Sequence, residues 1–218
     1  MSLKIGFLVN PIAGMGGRVG LKGTNHMSAE AVALGAKPVS PAKAVQFLEK
    51  LRESEQIKKT HILTCSGVMG SDEMKAAGLE AEILPMSIES ITSAEDTKKA
   101  VRLMDRNGVD LIVFVGGDGT AKDIYDALDS RSRTFVLGVP SGVKMYSGIF
   151  AASVLDAVEV VQAFVNGEAQ IMDFEIVDAD EDAIRTDRFS TKLYGFLKGP
   201  FVPMRLLGSK QVTPVVLD

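Results

Sequence analysis

The chain has 218 residues, 46% of them hydrophobic and 24% charged, with a formal net charge of −4. That length supports one or two domains whose cores need no covalent staples. The charge gives no general electrostatic reason to bind nucleic acid or an anionic membrane, whereas a few local cations would suffice for a phosphorylated ligand. The single cysteine, Cys65, excludes an intramolecular disulfide framework and a cysteine-built metal site, and it reads as a buried small hydrophobe at a strand end. No leader-like N-terminal pattern is visible, and no apolar run approaches the roughly 20 residues that span a bilayer. The expectation is a cytoplasmic protein that binds neither nucleic acid nor membrane.

The first element is the apolar run Leu3–Val9, which ends at Asn10-Pro11 and reads as a buried strand followed by a turn. A loop carrying Gly14, Gly16, Gly17, Gly20 and Gly23 follows. Residues 41–54 predict a helix, with Ser40 at the N-cap, Pro41 at the first helical position and Ala44, Phe47, Leu48 and Leu51 at helical spacing. His61–Thr64 reads as a second strand, Ser71 opens a short helix that stops at Gly78, and Ala81–Leu84 reads as a third strand. Ser93 with Asp96 forms a capping-box pattern for a helix that ends at Gly108.

Val109–Val115 is the most continuous apolar run in the chain, as expected of a central parallel strand covered on both faces. A helix over 120–129, a strand over 134–139 and a helix over 153–166 complete the alternation. The pattern predicts an α/β fold with a doubly wound, mostly parallel sheet. After Gly167 the texture changes, with strands expected at 170–178, 189–198 and 212–217 and no convincing helix. Residues 1–168 are therefore expected to form a nucleotide-binding domain, and 169–218 to begin a β-rich second unit that is short at its C-terminal end.

Ligands of such sheets gather at the carboxyl ends of the strands, where the glycine-rich loops fall. The run Gly116-Gly117-Asp118-Gly119-Thr120 follows the central strand and leads into a helix that starts near Thr120. Glycines permit close backbone approach, and a helix start presents unpaired N–H groups to an anion. Asp118 suits a different task, holding Mg²⁺ or taking a proton from an attacking hydroxyl. A plain strand-to-helix turn, capped by Asp118, explains the same residues equally well on physical grounds alone.

The loop Asn10–Thr24 is not a Walker A sequence, because no Gly-Lys-Ser/Thr follows its first glycine at the right spacing, and not a dinucleotide fingerprint, because Val19 occupies the third glycine position. Arg18 and Lys22 nevertheless stand among its glycines, where they suit a pyrophosphate. A third segment, Gly138–Ser147, also follows a strand, and Ser141, Gly142 and Lys144 are candidates to complete a phosphate or ribose pocket. Tyr146 reads as a packing residue ahead of a base-stacking one. Asp123 reads as part of a solvated helix face ahead of a second metal ligand.

G-G-D-G-T resembles the signature of the superfamily that contains the NAD kinases, diacylglycerol and sphingosine kinases and phosphofructokinases. The start Asn10-Pro11-x-x-Gly14 is similar to the first loop of the lipid kinases, but the whole Asn10–Thr24 stretch, with the Gly138–Ser147 and Leu193–Leu197 segments, looks more like the ATP-NAD kinase or acetoin-catabolism-X-like branch. The resemblance spans roughly residues 3–207. It implies an NAD kinase-like fold and ATP-dependent, Mg²⁺-assisted phosphoryl transfer to a hydroxyl, with NAD the favoured acceptor. Asp118 would be the catalytic residue and metal ligand. Asn10, Gly14, Gly16, Gly17, Arg18, Lys22, Gly116, Gly117, Gly119, Thr120, Ser141, Gly142 and Lys144 would bind the nucleotide. Related kinases assemble, so a homo-oligomer is expected. Asn25 stands where relatives commonly carry an acidic residue, which motivates a second expectation, a non-catalytic nucleotide-binding regulatory module. A lipid kinase is the third.

Overall fold

The computed structural model describes residues 2–14, 38–55, 57–88, 92–142, 145–179, 191–203 and 205. Five strands, β1 (Leu3–Val9), β2 (Thr60–Cys65), β3 (Glu82–Leu84), β4 (Leu111–Gly116) and β5 (Phe135–Pro140), form one sheet in the order β3-β2-β1-β4-β5. Every pairing in it is parallel. From β1 the chain winds outward through β2 and β3, then returns to the other side of β1 for β4 and β5. The winding direction therefore reverses between β1 and β4, the point at which open α/β sheets bind their ligands.

The helices are α1 (Ser40–Arg52), α2 (Ser71–Ala76), α3 (Ala94–Arg106), α4 (Asp118–Ala127) and α5 (Val154–Val165). α1 packs with α2 and α5, and α3 with α4, so two helical layers sandwich the sheet. This is why β4 is buried along its whole length. Phe7 stacks on Phe47 with ring centroids 6.1 Å apart, joining β1 to α1. Phe114 meets Phe150 edge-on at 5.3 Å. The second contact needs Gly138 on β5, since a Cβ there would collide with the Phe150 ring. Cys65 is fully buried, as its surroundings in sequence imply.

Local signals set the helix ends. Ser93 and Asp96 form the expected capping box, with Ser93 Oγ accepting from the Asp96 N–H at 3.3 Å and Asp96 Oδ2 from the Ser93 N–H at 2.9 Å. Two expected starts shift. α1 begins at Ser40 with Val39 at the N-cap, and Ser40 Oγ donates instead to the Ala13 carbonyl at 3.0 Å, tethering the first loop. α4 begins at Asp118, not Thr120, and Gly117 occupies its N-cap.

β6 (Gln170–Ala179) and β7 (Thr191–Phe201) form an antiparallel pair with a register irregularity between Ile176 and Val177. The pair packs back against α4 and β5, and Phe174, Ile176 and Leu197 join the main core. The strand expected at 212–217 lies outside the described residues. Among those described, no helix is long and apolar enough to cross a membrane.

Glu73 of α2 is 5% exposed and its Oε2 has no hydrogen-bond partner among the described residues. Burial pushes its carboxyl up to about 7. The folded protein then holds a proton that the unfolded chain releases near the ordinary carboxylate range. This contribution to stability is full at acid pH and is lost as pH rises through about 7. Glu73→Gln should therefore raise the melting temperature at pH 8, with the gain shrinking toward pH 5. Thermal melts of both proteins across that range check this.

Candidate functional site

Three loops interlock at the carboxyl edge of the sheet. Asn10, just beyond β1, donates from Nδ2 to Thr120 Oγ1 at 2.9 Å, and its Oδ1 accepts from the Ile12 N–H at 3.2 Å. Thr120 Oγ1 also accepts from the Gly117 N–H at 3.4 Å. These bonds bridge the crevice between β1 and β4. Beyond β5, the Ser141 N–H donates to the Gly116 carbonyl at 3.0 Å. Gly14 has φ +81°, and a Cβ on it would stand 2.6 Å from the Ser141 carbonyl oxygen, so only glycine permits that approach.

Within the signature run the residues take distinct parts. Gly116 leaves room for Thr120, whose side chain would lie 2.6–2.9 Å from an added Cβ. A Cβ on Gly117 would meet nothing within 4 Å, so this glycine faces open space. The first helical rung runs from the Ala121 N–H to the Gly117 carbonyl at 3.0 Å. The amides of Asp118, Gly119 and Thr120 thus precede the helical ladder and are oriented as an anion site.

Asp118 is the first residue of α4 and is 9% exposed. Its carboxylate does not cap the helix. Oδ1 accepts from the Ser147 N–H at 2.8 Å and Oδ2 from the Tyr146 N–H at 2.9 Å. Burial raises its carboxyl above the ordinary aspartate range, and the two amides, together with the Ser147 hydroxyl, pull in the opposite direction. A carboxylate with a raised pKa is closer to balance as a proton acceptor near neutral pH than an exposed one.

Ser141 is 3% exposed, and its Oγ has no hydrogen-bond partner among the described residues. A buried hydroxyl in that state is costly unless something completes it. Its position beside Gly116 and Gly14 makes a ligand oxygen a fitting complement. Gly142 lies next to Met145. Asn10, Gly14, Gly116, Gly117, Asp118, Gly119, Thr120, Ser141 and Gly142 therefore share one edge of the sheet, while Gly16, Gly17, Arg18, Lys22 and Lys144 lie outside the described residues, as does Asn25.

Other candidates fall elsewhere. The Tyr146 ring is 41% exposed rather than packed into the core. Asp123, further along α4, is half-buried rather than solvated, and burial pushes it up to about 6 against the opposing pull of Lys98 and Lys122. No group of three or more His, Cys, Asp or Glu suited to a metal ion occurs among the described residues. His61 pairs with Glu82 at 2.7 Å. Two open hollows, about 500 and 570 Å³, lie at the opposite, amino edge of the sheet. Their acids are already partnered there, Asp105 by Ser132 and Thr134 hydroxyls and Asp110 by the Lys4 N–H.

The fold and site define a doubly wound α/β domain with a glycine-rich, anion-oriented loop at its switch point. Residues 5–169 match the family model of the ATP-NAD kinase N-terminal domain, and the chain belongs to that family. Among solved structures it is similar to yeast NADH kinase complexed with NADH, at 14% identity and a TM-score of 0.42, over 88% of this chain and 46% of that one. The chain thus spans about half the length of that structure. No curated protein matches it at a significant level.

Thr120→Val would remove the acceptor shared by Asn10 and Gly117 while keeping the side-chain volume. It should cost about 1–3 kcal/mol of stability, because two donors lose a buried partner. Denaturant unfolding of the variant beside the wild type measures this.

Proposed function

We propose that the chain is the nucleotide-handling part of a kinase that transfers the γ-phosphoryl group of ATP to a hydroxyl of a small molecule, with NAD as the acceptor. The observation that carries this reading is the pairing of a buried carboxylate, Asp118, with open helix-start amides at the β1–β4 switch point. In the reaction, the acceptor oxygen bonds to the γ-phosphorus. The bond from that phosphorus to the bridging oxygen breaks, ADP leaves, and the hydroxyl proton passes to Asp118. Such transfers depend mostly on positioning and charge neutralisation, which the amides of residues 118–120, Ser141 and Asn10 would supply. Arg18, Lys22 and Lys144 would add cationic contacts, with Gly14, Gly16, Gly17 and Gly142 allowing close approach. In this reading residues 1–168 form the nucleotide-binding unit and 169–218 begin the β-rich one.

Magnesium fits this donor set in one way. Each Asp118 oxygen keeps a lone pair beyond its amide bond, and Mg²⁺ is commonly held by one or two carboxylates together with substrate phosphates. Asp118 would be its protein ligand, and the ion would neutralise phosphate charge.

A second reading has its own support. Both Asp118 oxygens already accept backbone hydrogen bonds, as a purely structural carboxylate would. A nucleotide-binding module without catalysis would show calorimetric binding of ATP or NAD and no turnover.

The kinase reading predicts Mg²⁺-ATP-dependent formation of NADP from NAD, with Asp118→Asn slowing turnover by about 10²–10⁴-fold while the protein remains folded. Full activity in Asp118→Asn would remove the assigned role. The pH profile of wild-type turnover should have its acidic limb above the ordinary aspartate range, since the raised Asp118 must lose its proton to act.

A further inference from the structure

The segment 145–151 is a strap that crosses from the Asp118 site to two other parts of the fold. Its Gly138–Ile149 and Ala151–Gly138 hydrogen bonds, at 3.0 and 2.9 Å, fasten one end to β5. The other end lies along the free edge of β6, where the Gly148 N–H donates to the Glu175 carbonyl at 3.0 Å. Ser147 joins the two. Its backbone N–H holds Asp118 Oδ1 at 2.8 Å. Its hydroxyl, on a residue only 1% exposed, donates to the Val177 carbonyl at 2.9 Å and accepts from the Val177 N–H at 3.0 Å.

Val177 is placed at the register irregularity of β6. Its backbone N–H and carbonyl both turn to one side chain rather than to a neighbouring strand. Val177 faces the free edge of β6 as Glu175 does two residues earlier, and a single serine there spans from the hairpin to the carboxylate. Stability alone would be served by any residue that covers this edge. The paired hydroxyl contacts also set where the Ser147 amide points, and that amide aims at Asp118.

Resting on the kinase reading above, we propose that Ser147 is a positioning residue for Asp118, through which the β6–β7 hairpin sets the orientation of the carboxylate. The hairpin is then more than a cover on the sheet. It supplies the fixed reference from which the reacting carboxylate is held, and slackening it at Val177 loosens the site at the head of α4.

Ser147→Ala tests this directly. With the anchor gone, the Ser147 amide is no longer fixed on Asp118, so turnover should fall about 10- to 100-fold, the effect of a small misplacement of a catalytic group. KM for ATP should stay near the wild-type value, because the phosphate amides are untouched. The residue-147 amide should exchange its hydrogen faster, since it is no longer fixed on the carboxylate. A folded Ser147→Ala protein with unchanged turnover and unchanged exchange of that amide would overturn the proposal, as would a lowered melting temperature with no change in either. If Ser147→Ala does not fold, Val177→Pro removes the N–H that meets Ser147 Oγ without taking a bond from β7, and the same readouts decide. Should the wild type make no NADP, the kinase reading fails separately. Hydrogen exchange of the residue-147 amide then decides the role of Ser147: faster exchange in Ser147→Ala supports positioning, and unchanged exchange overturns it.

Discussion

A carboxylate held almost out of water at the head of a helix is the constraint around which this molecule is arranged. Asp118 is buried by the strap that covers it and kept in place by two amides of that strap. Removing a charge from water is costly unless hydrogen bonds replace its hydration. The helix start contributes as well, because its partial positive charge favours an anion at the first position. The surrounding elements meet this requirement jointly. β4 delivers Asp118 from a fully buried strand, β5 leads into the strap, and β6 anchors it.

The same arrangement explains why the glycine-rich loops occur where they do. At the β1–β4 reversal no crossover helix can cover the strand ends, which leaves a crevice. Asn10 and Thr120 close its floor with one hydrogen bond. Gly14 and Ser141 bring the first and third loops into contact, while Gly117 stays open toward solvent. What results is a concave edge of backbone donors with one carboxylate beside it, a composition suited to phosphate and to a proton leaving a hydroxyl.

Much of the scaffold was legible in the residues because its determinants are local. The apolar run before Gly116 announced a central strand, the Ser93–Asp96 spacing announced a helix start, and Gly78, Gly108 and Gly167 marked helix ends that the structure places at positive φ. The signature run was legible as a strand-to-helix turn, and so as a candidate site, for the same reason. The actual use of Asp118 was not, since its partners lie 28 and 29 residues away in a segment without periodicity. Ser40 misled in a similar way: its residue type fits a cap, yet its hydroxyl reaches the Ala13 carbonyl across 27 residues. Ser147 carried no signal at all, because its task depends on a strand edge that forms only when β6 and β7 pair.

If nucleotide phosphates bind at the β1–β4 switch point, amide ¹⁵N shifts followed during titration with Mg²⁺-ATP will show it most directly. The largest changes should fall on residues 116–121 and 12–14, with Ser141 moving among them. Unmoved amides there, with changes gathered instead around Asp105, Asp110 and Thr134 at the amino edge, would contradict that placement.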